Sequence, residues 1–204
     1  MRDAAGTRER ILDEALVSFA GRGFAATSLD SLAGSLGVRK QTILHHFGTK
    51  QGVLVAVVDR SAEELAESME QALAGAGAGF ARVEALVRAV FRLAARRPEL
   101  LGLLREVSRL GPPAATRLVE VLDPMVERAR SFLEEEMEAG RMRRHDPRLL
   151  LLSAYSTVIG VATEVEVLRA VGVDPSARSL VRRRSELLSF LRSALLVDEV
   201  PAPA

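Results

Sequence analysis

Residues 27–50 read TSLDSLAGSLGVRKQTILHHFGTK, and this stretch says more about the structure than any other part of the chain. Its apolar spacing predicts two short helices joined by a tight turn, with Ala33 lying four positions before Gly37. A small alanine lets two helices cross closely, and glycine readily adopts the positive φ at which many helices end. A compact helix-turn-helix inserts its second helix into the major groove of DNA. The stretch therefore predicts a DNA-binding unit.

Polar residues predict where these helices begin and end. Thr27 is expected to cap the first helix, with Asp30 three residues later in a capping-box arrangement. The second helix is predicted over residues 38–47, and Gly48 ends it. Residues 7–22 carry apolar side chains at the spacing of one helix face, which adds a preceding helix. Three helices are thus expected in the N-terminal part.

The remaining pattern predicts an all-α chain of about nine helices. The pairs Asp146-Pro147 and Asp174-Pro175 each place a capping acid before a proline at the first helical position. No convincing strand or repeat is present. The helices expected after the first three cover residues 50 into the seventies, 80–96, 98 to about 110, a stretch ending at 138, 147–171 and 175–197.

Three local features of this pattern concern a proline inside a helix and the two ends of the sequence. Pro124 lies inside the stretch that ends at residue 138, so that helix either kinks or restarts with Asp123 as its cap. Residues 1–6 are expected to form a loose arm. Residues 200–204 are rich in proline and alanine and are expected to be frayed.

The composition of the 204 residues disfavours several classes of protein. Cysteine is absent, which excludes disulfides and thiolate metal sites and suits a reducing cytoplasm. No apolar stretch is long enough to span a bilayer, and the polar first ten residues do not resemble a signal peptide. The chain lacks the GxSxG, HExxH and phosphate-loop motifs, so an enzymatic function has little support and no cofactor is predicted.

The positive charge is informative through its position. A net charge of +1 argues against a broadly basic surface but allows a local basic site. The two lysines of the chain, Lys40 and Lys50, lie at the start and just after the end of the second predicted helix. We expect both to meet DNA phosphates, and the free amide groups of the helix that begins near Ser28 add an anion site.

The second predicted helix has one polar face and one apolar face. Ile43 and Phe47 share the apolar face, and the polar side chains lie opposite. Glutamine bonds adenine through two atoms, arginine bonds guanine in the same way, threonine contacts a phosphate or a thymine methyl, and histidine contacts base or backbone. The residues predicted to contact DNA are Thr27, Arg39, Lys40, Gln41, Thr42, His45 and Lys50.

Two other interpretations of this helix are less favoured. A polar face on a short helix is often only solvated, and these residues gain weight together rather than singly. A metal pair at His45-His46 is disfavoured, because adjacent residues on a helix point about 100° apart and do not converge on one ion. No metal is predicted.

The N-terminal part of the sequence resembles a known protein family. Residues 7–58, which include the run TRERILDEALVSFAGRGFAATSLDSLAGSLGVRKQTILHHFGTKQGVL, are similar to the N-terminal domain of TetR/AcrR-family transcriptional regulators. The resemblance extends to the aromatic-Gly-x-Lys ending at residues 47–50. It implies a homodimer that binds a palindromic operator and usually represses. It also implies a helix-turn-helix domain over residues 1–50 and a helical effector-binding and dimerisation domain over residues 51–204.

One position departs from the family pattern. The family often has a tyrosine where Leu44 stands, and that tyrosine commonly contacts the DNA backbone. Leucine cannot make this hydrogen bond, so the contact is lost or is taken over by a neighbour such as His45. The departure keeps open an alternative function, a helical protein-interaction module whose DNA binding has degraded.

The resemblance also gives expectations for the second domain. In the family the last two helices pair with their copies as a four-helix bundle; the alternative is that their apolar bands face the protein's own core. The two bands are Leu149, Leu152, Val158, Ile159, Val161 and Ala162, and Leu187, Leu188, Leu191, Leu195 and Leu196.

A small lipophilic effector is expected in the second domain, where family members usually hold one in a helical cavity. Tyr155 is the leading contact because it is the only tyrosine, and a buried hydroxyl needs a partner. The candidate lining is Phe91, Leu103, Leu104, Met125, Phe132 and Tyr155.

Overall fold

The computed structural model describes the backbone of residues 2–197 and the side chains from residue 6 onward. This part of the chain is all-helical, as predicted, and contains no strand beyond an isolated bridge between Met142 and Leu196. The tail predicted to fray, residues 200–204, lies outside the described residues. The helices are α1 (Arg2–Arg22), α2 (Leu29–Leu36), α3 (Lys40–Phe47), α4 (Lys50–Ala74), α5 (Phe80–Arg96), α6 (Pro98–Leu110), α7 (Ala114–Glu138), α8 (Pro147–Thr163), α9 (Val165–Ala170) and α10 (Leu180–Leu195), with a 3₁₀ turn at Ala177–Ser179.

The described residues form two compact units. The first unit comprises residues 2–66 and Arg97–Asp123, and the second comprises Glu67–Arg96 and residues 124–197. The sequence pattern assigned α6 to the second domain, but α6 packs on α1 inside the first unit. The domain boundary predicted after residue 50 stays a prediction.

The core of the first unit is built on α1. Its residues Ile11, Leu16 and Phe19 are almost fully buried, at the helical spacing that the sequence shows. The helices α1 and α6 approach closely at Gly102, where an added Cβ would lie 3.3 Å from the Cβ of Ala20. The close approach lets Leu103 enter the same core.

The second unit has its own apolar core between α5, α8 and α10. Phe80 and Phe91 of α5 are buried there against leucines of α10. The buried members are Phe80, Val87, Phe91, Val158, Ala162, Leu187, Leu188, Leu191 and Leu195. None of the described helices is long and apolar enough to cross a membrane.

Some predicted helix ends are confirmed and others are wrong. Asp146 caps α8, because its carboxylate accepts from the Arg148 and Leu149 amides at 2.9 and 3.1 Å. The helix α7 continues through Pro124 without restarting. The helix α1 begins at Arg2, so the described residues of the predicted loose arm are helical.

The prediction that Asp174 caps a helix beginning at Pro175 is wrong. The Asp174 carboxylate instead accepts from the backbone amide and hydroxyl of Ser176, at 2.8 and 2.6 Å, which closes a turn. These hydrogen bonds also lower the pKa of Asp174. A 3₁₀ turn follows, and α10 begins only at Leu180.

The helix predicted over residues 147–171 is interrupted. Glu164 adopts φ −81° and ψ 79°, which is not helical, and separates α8 from α9. Near this break the guanidinium of Arg183, which is 6% exposed, donates to the Val161 carbonyl at 2.6 Å. Burial lowers the pKa of Arg183. A donor on α10 thus binds an α8 carbonyl close to the interruption. The sequence near Glu164 does not predict this contact.

Candidate DNA-binding interface

The helix α2 is capped by Ser28 and not by Thr27. The Ser28 hydroxyl accepts from the Ser31 amide at 3.0 Å, and the Ser31 hydroxyl accepts from the Ser28 amide at 3.1 Å. This is a capping box, one position later than predicted, with Ser31 in the place expected for Asp30.

Thr27 is buried and hydrogen-bonded within the protein, whereas a cap and a DNA contact were expected there. Its side chain is 1% exposed, and its hydroxyl donates to the Gly23 carbonyl at 2.9 Å. A buried hydroxyl whose proton is already donated cannot contact a phosphate in this arrangement. The prediction of a DNA contact at Thr27 is therefore corrected, and the residue is left out of the interface proposed below.

The turn between α2 and α3 has the geometry that the sequence predicts. Gly37 adopts φ +66°, and the Val38 amide donates to the Ala33 carbonyl at 3.0 Å. Arg10 of α1 adds a contact that the sequence did not reveal, because its guanidinium donates to the Leu36 carbonyl at 3.1 Å. The turn is thus fixed both locally and from α1.

The helix α3 buries its apolar face and exposes its polar face. Ile43 is fully buried, and Phe47 packs against the core of the first unit, with the Arg8 guanidinium 5.5 Å from its ring centre. Arg39 has extended backbone, so the helix begins at Lys40 and not at residue 38. Four of the predicted DNA-contacting side chains on α3 and its cap are exposed, namely Arg39, Lys40, Gln41 and His45, and Thr42 is half-buried.

The exposed polar residues of this region differ in how they are engaged. Within the described residues, the side chains of Arg39 and Gln41 make no hydrogen bond or ion pair. Lys40 is paired with Asp30 at 2.9 Å, and both side chains are exposed. Because an exposed pair contributes only about 0–1 kcal/mol, a phosphate can displace Asp30 at little cost.

Lys50 at the start of α4 is held by the loop before α2. Its ammonium lies 4.2 Å from the centre of the Phe24 ring and 3.5 Å from the Ala25 carbonyl oxygen. A cation over an aromatic ring is attracted by the ring's negative face. The loop at residues 23–26 therefore positions the second of the two lysines.

The two adjacent histidines of α3 contact each other. The ring centres of His45 and His46 are 5.7 Å apart with an edge-on arrangement. No group of three or more potential metal ligands occurs among the described residues. Leu44 is half-buried and has no polar atom to replace the family's tyrosine hydroxyl.

The six predicted effector-lining residues do not share one unit. Leu103 and Leu104 belong to the first unit, where Leu103 is fully buried in the core with α1. Phe91, Met125, Phe132 and Tyr155 belong to the second unit. Tyr155 is 52% exposed, so the expectation of a buried hydroxyl is wrong.

The two apolar bands predicted to form the dimer contact are partly buried within the protomer and partly exposed. Six of their residues are buried in the core of the second unit: Val158, Ala162, Leu187, Leu188, Leu191 and Leu195. For these residues the alternative, packing inside the protomer, is correct. Leu149 and Leu152 of α8 remain 63% and 60% exposed, and Phe190 of α10 is 59% exposed. We call Leu149, Leu152, Tyr155 and Phe190 the exposed apolar face.

Comparison with known proteins agrees with this geometry. Residues 11–57, which span α2, α3 and the turn between them, match the family model for bacterial regulatory proteins of the tetR family. The helix-turn-helix segment of the chain is therefore similar to that of the tetR family. Members of this family are transcriptional regulators with a helix-turn-helix that binds DNA. No curated protein matches the chain.

Solved structures show the TetR-like fold over nearly the whole chain. A TetR transcriptional regulator from Chloroflexus aurantiacus is 24% identical, with 97% of this chain and 100% of that chain covered and a TM-score of 0.74. The regulator FadR from Bacillus subtilis in complex with stearoyl-CoA is 20% identical, with 91% and 98% covered and a TM-score of 0.75. A transcriptional regulator from Saccharomonospora viridis in complex with choline is 19% identical, with 95% and 99% covered and a TM-score of 0.76.

Proposed function

We propose that this protein is a homodimeric repressor that binds a palindromic DNA operator and is released by a small lipophilic effector. The observation that carries the DNA-binding part is the division of α3, whose apolar face is buried while its polar face is exposed. Arg39 and Gln41 on that face have no described side-chain partner that DNA would have to displace. The protein would act in the cytoplasm, where its operator lies.

The side chains of α3 suit direct readout of base pairs. The guanidinium of Arg39 can bond guanine and the amide of Gln41 can bond adenine, each through two atoms. Thr42 and His45 would contact bases or backbone beside them. Lys40 and Lys50 would bind phosphates, which fixes the register of α3 but carries no sequence information.

The exposed apolar face supports the proposal of a dimer. Large apolar side chains that are more than half exposed and lie on neighbouring helices are typical of a protein–protein contact. Both α8 and α10 supply such residues, and the two helices pack on each other within the second unit. A two-fold pair would present two α3 helices about 34–36 Å apart, the spacing of successive major grooves.

The effector would bind in the second unit. Of the predicted lining residues we retain Phe91, Met125 and Phe132. We withdraw Leu103 and Leu104 because they belong to the first unit, and Tyr155 because it lies on the exposed apolar face. The stearoyl-CoA and choline complexes of similar structures support a small-molecule site in such a fold. An effector would couple to DNA binding by about 1–3 kcal/mol, which is 5- to 150-fold in affinity.

Titration of labelled duplex DNA with the protein tests this function. Fluorescence anisotropy with random duplexes at low and moderate salt should show binding whose affinity falls steeply with salt. Selection from a random duplex pool should then recover a two-fold symmetric site. Absence of any salt-sensitive binding would favour the interaction-module alternative that Leu44 keeps open.

A single substitution tests the readout itself. Gln41→Ala should relax the base preference at one position of each half-site, with a loss of about 1–3 kcal/mol on the selected site and little change on random DNA. Selection with the Gln41→Ala protein measures this preference directly. An unchanged selected site would remove Gln41 from the readout.

A further inference from the structure

One carboxylate of α6 reaches the loop that precedes the helix-turn-helix. The Glu106 side chain accepts a hydrogen bond from the Phe24 backbone amide at 3.1 Å, across 82 positions of sequence. The contact is possible because α6 and α1 approach closely at Gly102, one helical turn before Glu106 and on the same face. Glycine at position 102 thus sets the distance from which the carboxylate acts.

No side chain of the loop at residues 23–26 can accept a hydrogen bond from this amide, because the loop reads Gly-Phe-Ala-Ala. Gly23, Ala25 and Ala26 of the loop line the concave surface around Glu106, and the polar side chains of that surface, Arg22, Arg105 and Arg109, are hydrogen-bond donors. Gly23 adopts φ +85°, and an added Cβ there would lie 3.2 Å from the nearer Glu106 oxygen. The loop backbone is therefore shaped closely around the carboxylate.

Phe24 connects this hydrogen bond to the DNA-facing residues. Its ring lies 4.2 Å from the Lys50 ammonium and 5.4 Å from the Phe19 ring centre. Its carbonyl accepts from the Thr27 amide at 3.3 Å, directly before the Ser28 cap of α2. Fixing the Phe24 backbone therefore fixes both the ring that holds Lys50 and the start of α2.

We propose that Glu106 is a positioning residue for DNA contact, which holds the loop at residues 23–26 so that Lys50 and the start of α2 face the phosphate backbone. The proposal rests on the DNA-binding function proposed above. In this proposal Glu106 acts through the loop and not by contacting DNA, and its negative charge alone would weaken binding. Charge and positioning therefore predict opposite effects when the carboxylate is removed.

Three variants separate these two effects. Glu106→Ala removes the acceptor and the charge. Glu106→Gln removes the charge but keeps an oxygen that can accept from the Phe24 amide. Glu63→Ala removes an equal charge from the exposed surface of α4 in the same unit, where no contact of Glu63 is described. Circular dichroism at the assay temperature confirms that each variant is folded.

The readouts are DNA affinity, its salt dependence and hydrogen exchange of the Phe24 amide. Glu106→Ala should bind random duplex DNA about ten-fold more weakly and reduce the salt slope by about one per protomer, the loss of one phosphate contact. Its Phe24 amide should exchange at least ten-fold faster. Glu106→Gln should stay within about two-fold of the parent protein in affinity, and Glu63→Ala should bind slightly more tightly.

The outcomes distinguish this proposal from the function on which it rests. If the parent protein binds duplex DNA and Glu106→Ala binds with equal or higher affinity and the same salt slope, Glu106 does not position the contact. A lower melting temperature with an unchanged slope would likewise reduce Glu106 to a structural role and overturn the proposal. A parent protein that binds no duplex would remove the DNA-binding function together with it.

Discussion

The α2–α3 region and the α8–α10 region present opposite surfaces. On α3 the apolar face is buried and what remains exposed is polar, so this surface is complete in one protomer. On α8 and α10 the apolar residues exceed what the core of the second unit can bury, and Leu149, Leu152 and Phe190 stay more than half exposed. The first surface is suited to a charged, hydrated partner, whereas the second calls for another apolar surface, for which a second copy of the chain is our proposal.

The largest expected effect tests the assignment of Leu103 to the core of the first unit, which also contains the α2–α3 region. Leu103→Ala should lower the free energy of unfolding of the first unit by about 2–5 kcal/mol, because it removes a fully buried side chain and leaves a cavity. Chemical denaturation monitored through the first unit measures it. Val119→Ala, at a residue of the same unit that is 65% exposed, is the control and should change stability by less than about 0.5 kcal/mol. Similar losses for both variants would contradict the assignment.

The second prediction concerns a charge placed on the exposed apolar face of α8 and α10. Phe190→Glu should weaken dimerisation by at least about 100-fold, near 2.7 kcal/mol, because it places a charge in the proposed contact. Sedimentation velocity over a range of concentrations measures the association. Val17→Glu puts the same charge at a residue that is 58% exposed in the first unit and should leave the dimer intact. An unaltered dimer in the Phe190→Glu protein would exclude this residue from the interface.

A third prediction uses pH to address the second unit alone. Two hydrogen bonds from Arg141, at 2.8 and 2.9 Å, lower the pKa of the buried Glu136 carboxyl. A lowered folded-state pKa stabilises the unit fully above the unfolded pKa of about 4.3, and this contribution is lost as pH falls through the folded value. Glu136→Gln should therefore cost about 1–3 kcal/mol at pH 7 and less at pH 3.

Chemical denaturation at both pH values measures this difference. Glu135→Gln changes an exposed carboxyl on the same helix and serves as the control. A cost of Glu136→Gln that is the same at pH 7 and pH 3 would show that the ionised carboxylate is not what stabilises the second unit.

The fourth prediction sharpens the role of charge at the α2–α3 surface. Lys50→Ala should weaken binding to all duplexes by about ten-fold and flatten the salt dependence, because it removes a phosphate contact and no base contact. Anisotropy titrations over a series of salt concentrations measure both quantities. Lys50→Arg keeps the charge over the Phe24 ring and should retain most of the slope. A loss confined to one sequence would mean that Lys50 contacts a base.

The smallest effect concerns the exposed pair between Lys40 and Asp30. Asp30→Asn should strengthen binding by about two- to three-fold at low salt, because it frees Lys40 and removes a negative charge near the phosphates. The gain should vanish at high salt. Glu63→Gln, which removes a charge from α4, gives the baseline for a general charge effect. Equal gains in both variants would show that the pair itself has no influence.

Local chemistry explains which features were predictable. The turn at Gly37, the cap at Asp146 and the apolar stripe of α1 each depend on residues within a few positions of one another, and all three are present. The cap of α2 lies one position later than the pattern predicts, because Ser28 and Ser31 form a capping box in place of Thr27 and Asp30. At Asp174 the pattern is ambiguous, because a carboxylate before a proline can close a turn as well as cap a helix.

Contacts between distant residues explain the rest. Periodicity shows that the stripes of α8 and α10 are apolar, but it cannot divide them between the protomer's core and an exposed face. The division depends on which side meets α5. The exposure of Tyr155 and the presence of Leu103 in the first unit follow in the same way from packing between helices.

An all-α chain, the helix-turn-helix and its polar face follow from sequence patterns alone, because backbone hydrogen bonds, caps and periodicity act over a few residues. Three features could be seen only in the folded chain: the contact of Glu106 with the Phe24 amide, the contact of Arg183 with the Val161 carbonyl beside the break between α8 and α9, and the set of apolar residues that remain exposed. Each of these depends on the distance and angle at which two helices pack, and that geometry is set by many side chains at once.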